Sequence, residues 1–194
     1  MTTAIRRRGD ALVDAIRAAT MAELASAGYD ALTIEAVAER AHTGKASIYR
    51  RWPNKLELAL DAIETYMPSL GAAPDTGSVR GDLLTVMRRV AKHLNSSEGG
   101  VMRACMSDVK THSELAAAVR ERLVAPRKQV MFELLRRGID RGEVRPEALN
   151  DRVAELGPML LHAERVETGR PVRDADVVAI VDDVLIPLLR PAAD

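Results

Sequence analysis

Few folds accept the stretch from Thr33 to Lys55, TIEAVAERAHTGKASIYRRWPNK. Its apolar residues Ile34, Ala36, Val37, Ala38, Ala41 and Ile48 recur at helical spacing, and most are small enough for two helices to pack closely. Thr33 can cap the first helix through its hydroxyl, and that helix ends near Ala41. His42-Thr43-Gly44 is the turn, with Thr43 or Gly44 as the cap of a helix from Lys45 to Arg51. Pro53 forbids continuation, because the residue before a proline is pushed out of the α region. Asn54 is a strong cap for a fourth helix, Lys55 to about Met67. From His42 to Lys55 there are four basic residues (Lys45, Arg50, Arg51, Lys55) and no acid. A compact helix pair whose second member is basic and polar outward is the build of a helix that lies in a DNA groove.

The rest of the chain repeats the helical period. Residues 1–9 read as a flexible basic lead-in, in which Arg6, Arg7 and Arg8 are either a solvated tail or an arm for phosphate or the minor groove. A helix follows from Asp10 to Ala27, stopped by Gly28. Pro68 to Gly77 is rich in Pro, Gly and small residues and reads as a linker. Beyond it come a helix over Val79–Asn95, a break at Ser96–Gly100 and a short helix from Val101. A long helix from Ser113 to Ile139 has Pro126 inside it, which predicts a kink or a break there. Two last helices, about Glu147 to Thr168 and Asp174 to Leu189, close the chain. No period-two pattern predicts a strand, so the fold class is all-α. The expected division is a DNA-binding domain over residues 1–67, with its fourth helix as connector, and a second domain over 78–194.

Formal net charge is zero, so bulk charge does not point to nucleic acid. Residues 1–55 nevertheless hold nine Lys/Arg against six Asp/Glu, which gives that end a positive bias. The single Cys105 fits a reducing compartment. With no signal-like apolar run after the N-terminal arginines and no apolar span of membrane length, a cytoplasmic location is expected.

Lys45 and Ser47, in the first turn of the third helix, are best placed to reach base edges, and lysine can bond guanine acceptors. Thr43 and Gly44 lie beside the same groove. Tyr49, Arg51 and Lys55 suit phosphate contacts that fix register, and Thr33 adds backbone donors for a phosphate. Taken without their setting, these are also ordinary polar residues of a short surface helix.

The run AVAERAHTGKASIYRRWPNKLEL resembles the DNA-binding domain of the TetR (tetracycline-repressor) family of transcription regulators. The family pattern places a small residue, an aliphatic and a tyrosine in the reading helix, then an aromatic, a small residue or proline, and Lys-acid-Leu. Here these are Ser47, Ile48, Tyr49, Trp52, Pro53, Lys55, Glu57 and Leu58, preceded by Ala38 and Ala41 of the second helix. The likeness covers about residues 10–60. It departs at the turn: His42 stands where glycine is usual, Thr43 where an apolar residue is usual, and Gly44 where many members have a serine cap. If the turn needs φ > 0, His42 bears a steric penalty that glycine does not.

The resemblance implies an N-terminal three-helix helix-turn-helix domain and a C-terminal helical domain that binds a small ligand and forms a homodimer. Met102, Cys105, Met106, Met131, Phe132, Leu135, Met159 and His162 could line such a pocket, since Met and Cys are soft and adaptable; at helical spacing they read equally as plain core. Apolar stripes over Val153, Leu156, Leu160 and Ala163, and over Val177, Ile180, Val181, Val184, Leu185 and Leu188, could pair with their copies or bury inside one chain. No nucleotide-binding, zinc-protease or serine-hydrolase motif occurs. His93, His112 and His162 are scattered, so no catalytic residue, metal or cofactor is expected. The expected function is a ligand-responsive transcriptional regulator, a repressor that binds a palindromic DNA operator as a dimer and is released by a small molecule. The competing reading is a helical small-molecule-binding protein or enzyme whose basic helix pair is incidental.

Overall fold

The computed structural model describes residues 2–67, 70–109 and 113–191, with side chains described from residue 9 onward except at 104, 106–109 and 113. Every regular element among them is helical: α1 Thr2–Ala31, α2 Ile34–Arg40, α3 Lys45–Tyr49, α4 Lys55–Tyr66, α5 Val79–Leu94, α6 Ser97–Val109, α7 Ser113–Val119, α8 Ala125–Asp140, α9 Asp151–Thr168, α10 Asp174–Ala179 and α11 Ile186–Leu189. The chain forms two compact units. One joins Met1–Pro68 to Ser97–Leu123; the other joins Ser69–Ser96 to Val124–Asp194.

In the first unit α1 packs against α2, α4 and α6. Ile16, Met21 and Leu24 of α1 are buried, together with Ile34 and Val37 of α2 and Leu58 and Ile63 of α4. Ile48 is the buried residue of α3, which is five residues long. So short a helix does not persist by itself in water, so the burial of Ile48, worth about 2 kcal/mol, keeps it in place. Helix α1 begins at Thr2, so residues 2–9 are helical where a flexible lead-in was expected. Gly28 does interrupt the helical path, with φ 81 and ψ 174. α6 begins at Ser97, so the expected break over Ser96–Gly100 shrinks to its first residue.

In the second unit α5 is the centre. Leu83, Val86 and Met87 share a core with Met131, Leu134 and Leu135 of α8, Ala154 and Leu161 of α9, and Val177, Val181 and Leu185. A Cβ on Gly138 would come within 2.5 Å of Val144 Cγ2, so Val144, four residues past the end of α8, packs directly on the helix backbone. Residues 70–77 are irregular, as expected of a linker, but they are tied down within this unit. Arg89 donates to the carbonyls of Leu70 and Ala72, and Arg137 to that of Pro74. Asp82, fully buried, accepts from the Thr76 amide at 2.6 Å, from its hydroxyl at 2.8 Å and from Arg141 at 3.1 Å.

Two prolines disturb their helices in the same way. The long helix expected over 113–139 is divided by a π-helical segment, Arg120–Val124, immediately ahead of Pro126. A second, Ile180–Leu185, precedes Pro187. Proline offers no N–H to the carbonyl four residues back and its ring pushes that carbonyl aside; the wider i→i+5 turn upstream absorbs both effects. The segment expected to be helical from Glu147 is instead a 3₁₀ turn at Pro146–Ala148, followed by α9 capped by Asn150. Val177, Val181 and Leu185 face the core, whereas Met159, Val166 and Val184 are 62%, 60% and 40% exposed.

Candidate nucleic-acid interface

The turn between α2 and α3 is closed by the main chain. The His42 amide donates to the Glu39 carbonyl at 3.1 Å, and the Thr43 amide to the Ala38 carbonyl at 2.9 Å. These are the paired bonds of a Schellman ending, which needs a left-handed residue between them. His42 supplies it with φ 50, the positive-φ residue other than glycine among the described residues. Gly44 then caps α3 in an extended conformation with no side-chain bond, and the space around its missing Cβ is open. Upstream, the Thr33 hydroxyl accepts from the Ala36 amide at 3.1 Å, the cap expected of it. Asn54 does the same for α4 through Glu57 at 2.9 Å.

With Ile48 turned inward, α3 shows solvent a polar edge. Gly44, Lys45, Arg50 and Arg51 are exposed and Tyr49 is 53% exposed, while Thr43 and Ser47 are half-buried beside them. Lys45 Nζ donates to Glu35 Oε1 at 2.8 Å across the turn, with both side chains more than half exposed. The hydrogen bond from Lys45 holds the Glu35 carboxyl below its ordinary value, and Glu35 in return raises the ammonium.

The cations of this unit divide by occupation. Arg40 is bonded to Glu23 at 2.6 Å. Arg17 grips Asp61 with two bonds of 2.8 and 2.9 Å. Lys55 is turned back on α1: it donates to the Tyr29 carbonyl at 2.9 Å and lies 4.4 Å from the Tyr29 ring centroid. Burial pushes the Tyr29 phenol up, with Glu114 and Asp30 adding to the effect. Lys55 thus carries a structural task at the end of α1 that its sequence position does not announce. Arg50 and Arg51 make no ion pair among the described residues, and both are exposed. Arg50, in the same acid-free basic run, stands exposed beside Arg51.

The other set of candidates is divided between the two units. Met131 and Leu135 belong to the core of the second unit, with Phe132 half-buried against it. Met159 is exposed and His162 half-buried on α9. Met102 and Cys105 are buried in the first unit, where Cys105 Sγ lies 3.7 Å from the Met21 carbonyl oxygen. The Met106 side chain lies outside the described residues. Among the described residues no group of His, Cys, Asp and Glu could hold a metal ion, and no helix is long and apolar enough to cross a membrane.

A capped short helix, a Schellman turn and a second short helix with one buried anchor and a polar, cationic edge define a helix-turn-helix DNA-binding module. The chain belongs to the TetR family of transcriptional regulators. Residues 16–62 match the family model for bacterial regulatory proteins of the tetR family, and residues 73–184 match that for the tetracyclin repressor-like C-terminal domain. An HTH-type transcriptional regulator of Mycobacterium tuberculosis is 35% identical over 176 residues, 89% of this chain and 85% of that protein. The DNA-binding transcriptional repressor TetR of Mycobacteroides abscessus is 30% identical over 187 residues, 96% of this chain and 98% of that protein. Among solved structures, a TetR family transcription regulator is 31% identical with a TM-score of 0.58, covering 93% of this chain and 99% of that chain.

Proposed function

We propose that this regulator is a repressor that binds a palindromic operator as a homodimer and is released by a small molecule bound in its C-terminal part. The observation that carries the DNA half is the division of labour on α3. Ile48 anchors it, Lys45 and Ser47 stand in its first turn toward base edges, and Tyr49, Arg50 and Arg51 flank them for phosphate. Thr33, Thr43 and Gly44 border the same edge. Lys55 acts mainly by holding α1 and α4 together, which sets the angle at which α3 is offered.

The dimer half rests on α9 and on the run from α10 to α11. Met159, Val166 and Val184 are exposed apolar residues, and Leu156, Leu160, Ile180 and Leu188 are half-buried. A two-fold pair of chains would place two reading helices in successive major grooves, about 34–36 Å apart. An effector would act only through a difference in its affinity for the DNA-competent and DNA-incompetent states. The soft residues Met131, Phe132, Leu135 and His162 of the second unit are the lining we would test first, with Met102, Cys105 and Met106 as a separate group.

The test is selection of bound sequences from random duplex DNA by the purified protein. An inverted repeat is the expected product. Enrichment of a single unrepeated site would overturn the dimeric reading, and no enrichment would overturn the regulator's proposed mode of DNA reading altogether.

A further inference from the structure

The ion pair between Glu35 and Lys45 joins the first turn of α2 to the first turn of α3, and it lies on the exposed edge of the motif. It does not hold the fold together: an exposed pair of this kind is worth little, and both helices are fixed by Ile34, Val37 and Ile48. We infer that Glu35 is a positioning and selectivity residue, which withholds Lys45 from phosphate and, with it, reads one G·C base pair in each half-site. This inference rests on the proposed DNA-reading role of α3.

The argument is one of charge and of edge chemistry. A lysine at the tip of a reading helix is attracted to any phosphate, whatever the sequence. With a carboxylate 2.8 Å away, the ammonium is already paired, and giving it to a phosphate means breaking that pair. Sequence-independent binding is weakened accordingly. A G·C pair suits both partners together better than an A·T pair, whose single amino group lies between its two acceptors. Its major-groove edge presents the guanine acceptors to an ammonium and, next to them, the cytosine amino group to a carboxylate. Lys45 and Glu35, 2.8 Å apart, present a donor beside an acceptor on the exposed edge.

Four proteins separate the possibilities: wild type, Glu35→Gln, Lys45→Gln, and Glu35→Gln combined with Lys45→Gln. Each is titrated against a random-sequence duplex and against the sequence selected by the wild type, over a range of salt. Glu35→Gln is expected to bind random DNA about 3- to 10-fold more tightly, with a salt slope steeper by about one. Its selected sequences are expected to lose a G·C preference at one position per half-site. In the Lys45→Gln background the same substitution should change random-DNA affinity less than twofold. The inference is overturned if Glu35→Gln leaves random-DNA affinity and selected sequence as they were, while the wild type still binds DNA with a steep salt dependence. An equal gain with and without Lys45 would also overturn it, since Glu35 would then act alone. If the wild type itself shows no salt-dependent binding, the reading on which the inference stands falls with it.

Discussion

The Trp52 indole N–H donates to Asp61 Oδ2 at 2.9 Å, the same carboxylate oxygen that accepts the Arg17 Nε bond at 2.8 Å. One acid therefore ties the end of the reading-helix segment to α4 on one side and to α1 on the other. Removing the charge should loosen all three. Asp61→Asn is expected to lower stability by about 1–3 kcal/mol, the range for hydrogen bonds to charged groups. Urea unfolding followed by the fluorescence of Trp52, the single tryptophan of the chain, measures it directly.

The same carboxylate makes stability depend on acid. Burial pushes the Asp61 carboxyl up, but the bonds from Arg17 and Trp52 and the guanidinium charge outweigh it, and the net shift is downward. A depressed acid stabilises the folded chain fully above the ordinary aspartate value near about 3.9, and that contribution fades as pH falls through the lower folded value. The stability gap between wild type and Asp61→Asn should thus be constant from pH 7 to 5 and close below about pH 4. A gap that widens in acid would contradict this assignment.

His42 holds a left-handed conformation that glycine adopts without strain. His42→Gly should stabilise the protein by about 0.5–1 kcal/mol, the relief being partly offset by the greater freedom of glycine in the unfolded chain. His42→Val should destabilise it by more than that. Thermal melts of the three proteins rank them.

The cations of the motif should separate by experiment as they do by geometry. Lys55→Gln removes the bond to the Tyr29 carbonyl and the contact with its ring, so it should cost about 1 kcal/mol of stability and weaken DNA binding without altering sequence preference. Arg50→Ala and Arg51→Ala should leave stability within about 0.5 kcal/mol and each reduce the salt slope by about one. Unfolding curves and salt titrations together distinguish the two kinds of residue.

In the second unit, Gly138→Ala places a methyl group 2.5 Å from Val144 Cγ2, against a stiff β-branched side chain. A loss of about 1–3 kcal/mol is expected. Gly157→Ala meets Met87 and Leu185 at 3.0 Å, and the methionine can move aside, so the smaller loss should fall there. For the dimer, Met159→Glu should shift sedimentation toward the monomer while leaving the melting temperature of the chain little changed.

What the sequence disclosed is what local chemistry writes. Thr33 and Asn54 stand three residues before the amides they accept from, so the starts of α2 and α4 were legible. Pro126 gave away its disturbance, though not that it takes the form of a π turn. The residues from Thr33 to Lys55 suggested an interface because they lie together along the chain. Partners distant in sequence were invisible: Lys55 and Tyr29 are 26 residues apart, and Arg17 and Asp61 are 44 apart. So nothing near Lys55 in the sequence announced its bond to the Tyr29 carbonyl. The stretch 70–77 looked free because its composition is that of a linker, and the arginines that hold it come from α5 and α8. Nothing in the pattern of apolar residues on α9 said that Met159 would face outward.

The turn between Ala38 and Lys45 is fastened by amide and carbonyl groups alone, with a left-handed backbone as its one demand. Its side chains at 42 and 43 are thereby released from holding the motif together. A loop so placed, at the rim of the reading helix yet structurally idle, can change its residues over generations while the scaffold stays put. Descendants of this regulator could drift to new operators there first, one substitution at a time, without passing through an unfolded ancestor.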